Sequence, residues 1–140
     1  MAKLILVRHG ESLWNAKGIW TGLTDISLSK KGREEARSAG MALKDIKIDI
    51  AYTSPLARAN QTLDEIAHSL PSPIILTIKN KALNERNYGE LTGKNKWEIE
   101  KEFGEEKFLD IRRGWNVPIP KGETLKDVYN RVVPYYQKKY

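Results

Sequence analysis

The sequence predicts an α/β fold built on a mostly parallel sheet, and three observations carry that reading. Short apolar runs lack polar alternation, stretches of helical periodicity lie between them, and the two kinds alternate along the chain. The runs are Leu4-Ile5-Leu6-Val7, Ile48-Asp49-Ile50-Ala51-Tyr52 and Ile74-Ile75-Leu76-Thr77-Ile78. They are rich in branched residues, as strands covered on both faces tend to be. Strands separated by helices of this length imply crossover connections and parallel pairing.

Each helix has a local signal. The first is expected over residues 29–43, with Ser29 as its N-cap. The second is expected to begin at Ser54-Pro55, a capping serine followed by proline at the first helical position. Its Leu56, Ala59, Leu63, Ile66, Ala67 and Leu70 recur at helical spacing. Residues 80–121 differ, being polar and rich in glycine and charge, with one short helical candidate at Lys96–Phe103. Such a stretch inside a compact domain is usually a lid or binding insertion. The organisation expected is one domain over 1–140 with a substrate-binding insertion at 80–121. A last helix should start near Thr124, which forms a capping box with Asp127. Leu125, Val128 and Val132 give it an apolar face, and Pro134 should kink it.

Bulk properties exclude several classes. The chain of 140 residues contains no cysteine, so disulfides, thiolate catalysis and cysteine metal sites are ruled out. Met1-Ala2-Lys3 leads into only four apolar residues before Arg8, too short for a secretory core or a membrane span. A cytoplasmic protein without membrane contact is expected. With 24 basic and 18 acidic residues the formal charge is +6, which suits an anionic ligand. The charges fall within apparent site motifs rather than in a basic stripe interleaved with aromatics, so nucleic acid is a poor fit.

The chemical signal is Leu6-Val7-Arg8-His9-Gly10-Glu11-Ser12. Arg8 and His9 fall where the first strand should end, and ligands of parallel sheets bind beyond the carboxyl ends of strands. A guanidinium offers a donor fork matched to phosphate oxygens. A neutral imidazole beside it can attack phosphorus and split one phosphoryl transfer into two easier steps. The plainer reading is a half-buried histidine satisfied by hydrogen bonds.

Further blocks follow in order. They are Trp14-Asn15, Thr21-Gly22-Leu23-Thr24-Asp25, Leu28-Ser29-Lys30-Lys31-Gly32, Tyr52-Thr53-Ser54-Pro55-Leu56-Ala57-Arg58-Ala59 with Thr62, Leu83-Asn84-Glu85-Arg86-Asn87-Tyr88-Gly89-Glu90-Leu91-Thr92-Gly93, Asn95-Lys96, Arg112-Arg113-Gly114 and Gly122-Glu123-Thr124-Leu125. This series resembles the cofactor-dependent phosphoglycerate mutases of the histidine phosphatase superfamily, over essentially the whole chain. The first block marks the superfamily. The Glu85 to Lys96 block and the Arg112-Arg113 pair point to the mutase branch.

The resemblance implies a three-layer phosphoglycerate mutase-like fold, with a mostly parallel sheet and helices on both faces. It implies an isomerase of glycolysis and gluconeogenesis that interconverts 3-phosphoglycerate and 2-phosphoglycerate. His9 would carry the phosphohistidine, primed by 2,3-bisphosphoglycerate and needing no metal. Arg8 and Arg58 would clamp the transferring group, with Asn15 donating a further hydrogen bond. Ser12, Thr21 and Gly22 would help to hold substrate. Glu85 would move the proton of the substrate hydroxyl. Tyr88, Lys96, Arg112 and Arg113 would bind the carboxylate and the distal phosphate. Small phosphoglycerates are then the partners, and homo-oligomerisation stays open. Family members continue into a further strand ending in an Ala-His-Gly-Asn type motif whose histidine faces the nucleophile. This chain has no such residue, so a partial mutase is expected, with the sheet incomplete on its C-terminal side.

Other readings stand beside these. A phosphatase of the same superfamily would share the chemistry of His9, and a catalytically impaired, anion-binding fragment is the reading from outside enzymology. Arg58 alone reads as a helix arginine, Arg112-Arg113 as a solvated pair, and Glu11 as having no direct chemistry. The four tryptophans are expected to pack rather than to stack on ligand. His68 fits a helix C-terminus.

Overall fold

A computed structural model describes residues 3–139, so Met1, Ala2 and Tyr140 lie outside it. The elements run α1 (Leu13–Ala16), α2 (Lys30–Ala42), β1 (Ile50–Thr53), α3 (Ala57–Ser69), β2 (Leu76–Lys79), α4 (Lys96–Phe103), α5 (Glu105–Arg113) and α6 (Leu125–Gln137). Single 3-10 turns cover Lys81–Leu83 and Gly89–Leu91. Strands β1 and β2 pair in parallel, Ile50 opposite Leu76 through Thr53 opposite Lys79. α3 crosses between them, as the alternation of strand and helix predicts.

The expected first strand is corrected. Residues 4–7 form neither strand nor helix, and Leu6 is 84% exposed. A strand is held by cross-strand partners, and none of the described strands offers its edge to this run. Branched side chains favour extended backbone but cannot replace the missing ladder. Full burial of the other two strands is also corrected. Ile50, Leu76 and the preceding Ile75 are exposed, because side chains leave a strand through the faces of the sheet and these faces are not fully covered.

Helix α2 matches its signal, since Ser29 Oγ accepts from Gly32 N at 3.0 Å. It packs along α3 through the buried Ala36, Gly40 and Ile66. A methyl on Gly40 would fall 2.9 Å from the carbonyl oxygen of Ile66, so glycine is what lets these helices approach. Arg33 and Arg37 both reach Glu65 across the pair, at 3.0 and 2.8 Å. α3 begins at Ala57, not at Ser54. Its cap comes from a distant loop, for Asp25 Oδ1 accepts from Ala57 N at 2.6 Å. α6 matches the Thr124–Asp127 capping box and continues past Pro134 to Gln137.

The segment 80–121 is not irregular. It holds α4, with Asn95 Oδ1 capping Trp97 and Glu98, and a second helix, α5, that sequence reasoning missed. Gly104, at φ 82°, ends one helix and opens the other. Glu105 and Glu106 lie in the first turn of α5 and Arg112 and Arg113 in its last, each sign matching its helix end. Phe108 and Ile111, three apart, turn inward. They join Trp20, Leu91, Ile99 and Ile119 in the hydrophobic core, flanked by Tyr88 and Val117. Most of that cluster comes from residues 80–121, the segment expected to be a lid or substrate-binding insertion. Trp20 packs as expected, whereas Trp97 and Trp115 are more than half exposed.

Candidate active site

The segment 8–12 is fixed at two points. Gly10 N donates to Thr62 Oγ1 at 3.1 Å, which itself donates to Arg58 O, tying the chain beside His9 to α3. On the other side Gly10 and Gly32 interlock with backbone, and a Cβ on either would overlap a carbonyl of the other segment. Glu11 belongs to this scaffold: Oε1 accepts from Ser29 Oγ at 2.8 Å, and Lys31 Nζ lies 3.5 Å from Oε2.

His9 is held by its own neighbour. Nδ1 lies 2.7 Å from the carbonyl oxygen of Gly10, which can only accept, so Nδ1 carries the hydrogen and Nε2 keeps its lone pair. Burial pushes the imidazole below its ordinary value of 6.5, outweighing the opposing bond to Gly10. The ring is therefore neutral near pH 7, with Nε2 4.0 Å from Glu85 Oε2.

An open cavity of about 370 Å³ is lined by Arg8, His9, Gly10, Glu11, Asn15, Glu35 and Lys96. That lies within the roughly 300–1,000 Å³ usual for small-molecule sites. Asn15 Oδ1 accepts from Ser12 N, which leaves the amide Nδ2 as the end able to donate elsewhere. Lys96 Nζ sits 5.4 Å from the Trp20 ring, and burial first, then Arg112, pull it below its ordinary value. Arg8 and Glu85 act on the same ammonium, so Arg8, Glu85, Lys96 and Arg112 share one electrostatic neighbourhood. Tyr88 belongs to it too, its phenol raised by burial and then by Glu85.

Other expected site residues lie in the frame. Arg58 is 1% exposed and donates to Thr24 O at 3.0 Å, Gly22 O at 2.7 Å and Glu85 Oε2 at 2.8 Å. Three of its hydrogen bonds thus go to the protein, and they fix the Glu85 carboxylate beside His9. Ser12 is fully buried as the cap of α1, its Oγ accepting from Asn15 N. Thr21 is 3% exposed. Gly22 turns at φ 54° with its carbonyl on Arg58. Arg113 is exposed at the end of α5. His68 Nδ1 meets Asp64 O of its own helix at 2.6 Å. Among the described residues no cluster of three or more His, Cys, Asp or Glu could hold a metal, and no helix is long and apolar enough to cross a membrane.

Sequence reasoning missed the supports. Arg86 is buried and donates to Glu123 O, Ile111 O and Val117 O. Glu123 and Arg131 pair beside the Glu85 loop. The signal available was the charge of three residues in otherwise apolar or turn-forming surroundings.

Residues 4–139 match the model of the histidine phosphatase superfamily, branch 1, and the chain belongs to that superfamily. The chain is 49% identical over 135 residues to proteins named 2,3-bisphosphoglycerate-dependent phosphoglycerate mutase from Brucella ovis and Brucella suis. The match takes in 95% of this chain and 66% of theirs, so the chain spans about two thirds of the length of these relatives. Among solved structures, Bacillus stearothermophilus YhfR aligns with TM-score 0.81 and 28% identity, over 94% of this chain and 64% of that one. A mycobacterial glucosyl-3-phosphoglycerate phosphatase aligns with TM-score 0.78 over 93% of this chain and 59% of its own, and its 23% identity speaks to the fold alone. The fold is thus the mixed α/β, phosphoglycerate mutase-like one that the sequence predicts.

Proposed function

We propose that this chain acts as a phosphoglycerate mutase, interconverting 3-phosphoglycerate and 2-phosphoglycerate through a phosphohistidine at His9. The observation that carries the reading is a neutral imidazole, its Nδ1–H spent on Gly10 O and its Nε2 left free, on a residue that lines one cavity with Arg8 and Lys96. The identity to named mutases supports the substrate class.

The cavity suits a small anion with several charges. Arg8 and Lys96 line it, and Arg112 acts on Lys96 from the end of α5. When bound, 2,3-bisphosphoglycerate supplies the phosphoryl group, and these three cations would hold its anionic ends. Lys96, partly desolvated over the Trp20 ring, attracts an anion more strongly than a solvated ammonium would. His9 Nε2 would attack phosphorus with the lone pair that the Gly10 carbonyl leaves free, while the phosphorus–oxygen ester bond breaks and the departing glycerate oxygen takes its proton from Glu85. Positive charge then grows on the ring, and Nδ1–H···O tightens as the imidazole becomes cationic. Glu85, held by Arg58 within 4.0 Å of that nitrogen, takes and returns the proton of the substrate hydroxyl at its carboxylate. Arg58, fixed to two carbonyls, contributes a charge that needs no reorganisation.

The test is incubation of the 140-residue chain with labelled 2,3-bisphosphoglycerate, followed by an assay coupled to 2-phosphoglycerate. Acid-labile label on His9 and turnover of 3-phosphoglycerate are expected, both absent in His9→Ala. Label that persists in that variant defeats the reading. Release of free phosphate without 2-phosphoglycerate would make the site a phosphomonoesterase instead.

A further inference from the structure

Glu85 lies on residues 84–88, which belong to no helix, 3-10 turn or strand. No ladder fixes this loop, so its place must come from other bonds. Around it the chain builds a frame from two side chains that the sequence blocks do not mark as functional. Arg131 of α6 donates Nη1 to Ala82 O at 2.7 Å and Nη2 to Glu85 O at 3.0 Å. The same guanidinium grips Glu123, Nε to Oε1 at 2.8 Å and Nη2 to Oε2 at 3.0 Å. Glu123 Oε2 in turn accepts from Asn87 N at 2.8 Å, and Glu123 N donates to Asn87 O at 2.8 Å. The backbone is therefore tied at 82, 85 and 87, on both sides of the carboxylate that Arg58 holds.

We infer that Glu123 and Arg131 are positioning residues for the proton-moving Glu85, setting the place of its carboxylate beside His9 Nε2 through bonds to the backbone of residues 82–87. The inference rests on the reading of Glu85 above. Three features argue for more than ordinary packing. The arginine spans from Ala82 O in the 3-10 turn to Glu85 O in the loop, so one side chain fixes the entry to the loop and Glu85 itself. Its charge is matched by Glu123 in a two-point pair, so the clamp adds no free cation to a site that must bind and release anions. Both side chains are about one quarter exposed, at 23% and 24%, so the pair is desolvated enough to hold a fixed geometry. The bonds from Arg131 hold Glu123 ionised below its usual range. α6 thereby connects its own docking to the registry of the acid–base group.

The test uses the full chain and three substitutions. Arg131→Lys keeps a charge for Glu123 but gives up the fork to Ala82 O and Glu85 O. Glu123→Gln keeps an acceptor for Asn87 N but gives up the ion pair. Displacements near 1 Å at a reacting group cost on the order of a hundredfold. For Arg131→Lys, kcat for 3-phosphoglycerate should fall between about ten- and a hundredfold, with KM within about twofold. Glu123→Gln should show a smaller loss of the same kind, which serves if Arg131→Lys does not fold. In a Glu85→Gln background, Arg131→Lys should add nothing, because contributions acting through one group do not add. A multiplicative loss in that background, or a rise in KM with kcat intact, overturns the inference. If the chain without substitutions shows no turnover, the mutase reading falls by itself. Positioning is then read from the 13C resonance of the Glu85 carboxyl, which must move in Arg131→Lys, and an unmoved resonance overturns the inference.

Discussion

Gly32→Ala puts one methyl where the structure has no room, and the outcome separates two opposing effects. Gly32 lies in the first turn of α2, where exchanging glycine for alanine normally stabilises a helix by about 1 kcal/mol. Here the new Cβ would lie 2.0 Å from the carbonyl oxygen of Glu11, 2.7 Å from its nitrogen and 2.8 Å from its carbonyl carbon. All three neighbours are backbone and cannot rotate away. Ordinary carbon–oxygen contact needs about 3.3 Å, so the segment at Glu11 must retreat by more than 1 Å. Overpacking of this kind costs about 1–3 kcal/mol, which cancels or exceeds the helix gain.

Function should suffer more than stability, because Glu11 is two residues from His9 and its backbone leads straight into the Gly10 carbonyl that orients the ring. A displacement of about 1 Å at the nucleophile predicts phosphate uptake on His9 slowed on the order of a hundredfold. Stopped-time labelling gives the rate, and a denaturant titration gives the stability. A variant that labels at the original rate and unfolds at higher denaturant would refute the reasoning, since the helix gain would then be the only term present.

Four further outcomes follow from three features. Because burial holds His9 below 6.5, its uptake of phosphate should fall to half only below pH 6.5; a rate halved by pH 7 counts against a neutral nucleophile. The same depression makes the unfolded chain the better proton binder below 6.5. Stability that is full above that pH should drain away as pH falls through the folded value, and His9→Asn should flatten that window in denaturant midpoints. Phe108→Ala empties a side chain that is 4% exposed in the main hydrophobic cluster and should cost about 3–5 kcal/mol, lowering Tm by on the order of 10 °C in calorimetry. Asp25→Ala removes the acceptor on Ala57 N and should cost about 1 kcal/mol, with faster amide exchange confined to the first turn of α3.

Elements with local signals were legible in the sequence. Ser29 and the Thr124–Asp127 box each mark a helix start, because a cap acts within three residues of itself. α5 was hidden by brevity: two buried apolar residues in nine give no periodicity to detect, although its charges already matched the helix ends. Residues 4–7 failed for the opposite reason, since strand propensity was present and the partner was not. In the site, the ordered blocks located His9, Arg8, Asn15 and Lys96 around one cavity. They did not tell which arginines face a ligand and which face backbone, because that depends on where distant carbonyls end. Asp25 capping α3 is the same kind of case, 32 residues apart in sequence.

That distinction changes what the net charge means. Arg58 spends its donors on Gly22 O and Thr24 O, Arg86 on Ile111 O, Val117 O and Glu123 O, and Arg131 on Ala82 O and Glu85 O. Each joins segments at least 25 residues apart where no strand pairs them. A planar fork suits this work, since it satisfies several carbonyls at once and stays charged while buried. All three brace backbone, and Arg58 and Arg131 also pair with Glu85 and Glu123. On the proposed reading, the charge that meets a phosphorylated acid is local, from Arg8, Lys96 and Arg112 with the braced Arg58, and the formal +6 does not measure it. An arginine that braces a loop and one that grips a phosphate look alike in sequence. What separates them is what each guanidinium meets: Arg58, Arg86 and Arg131 donate to backbone carbonyls, whereas Arg8 lines the cavity beside His9.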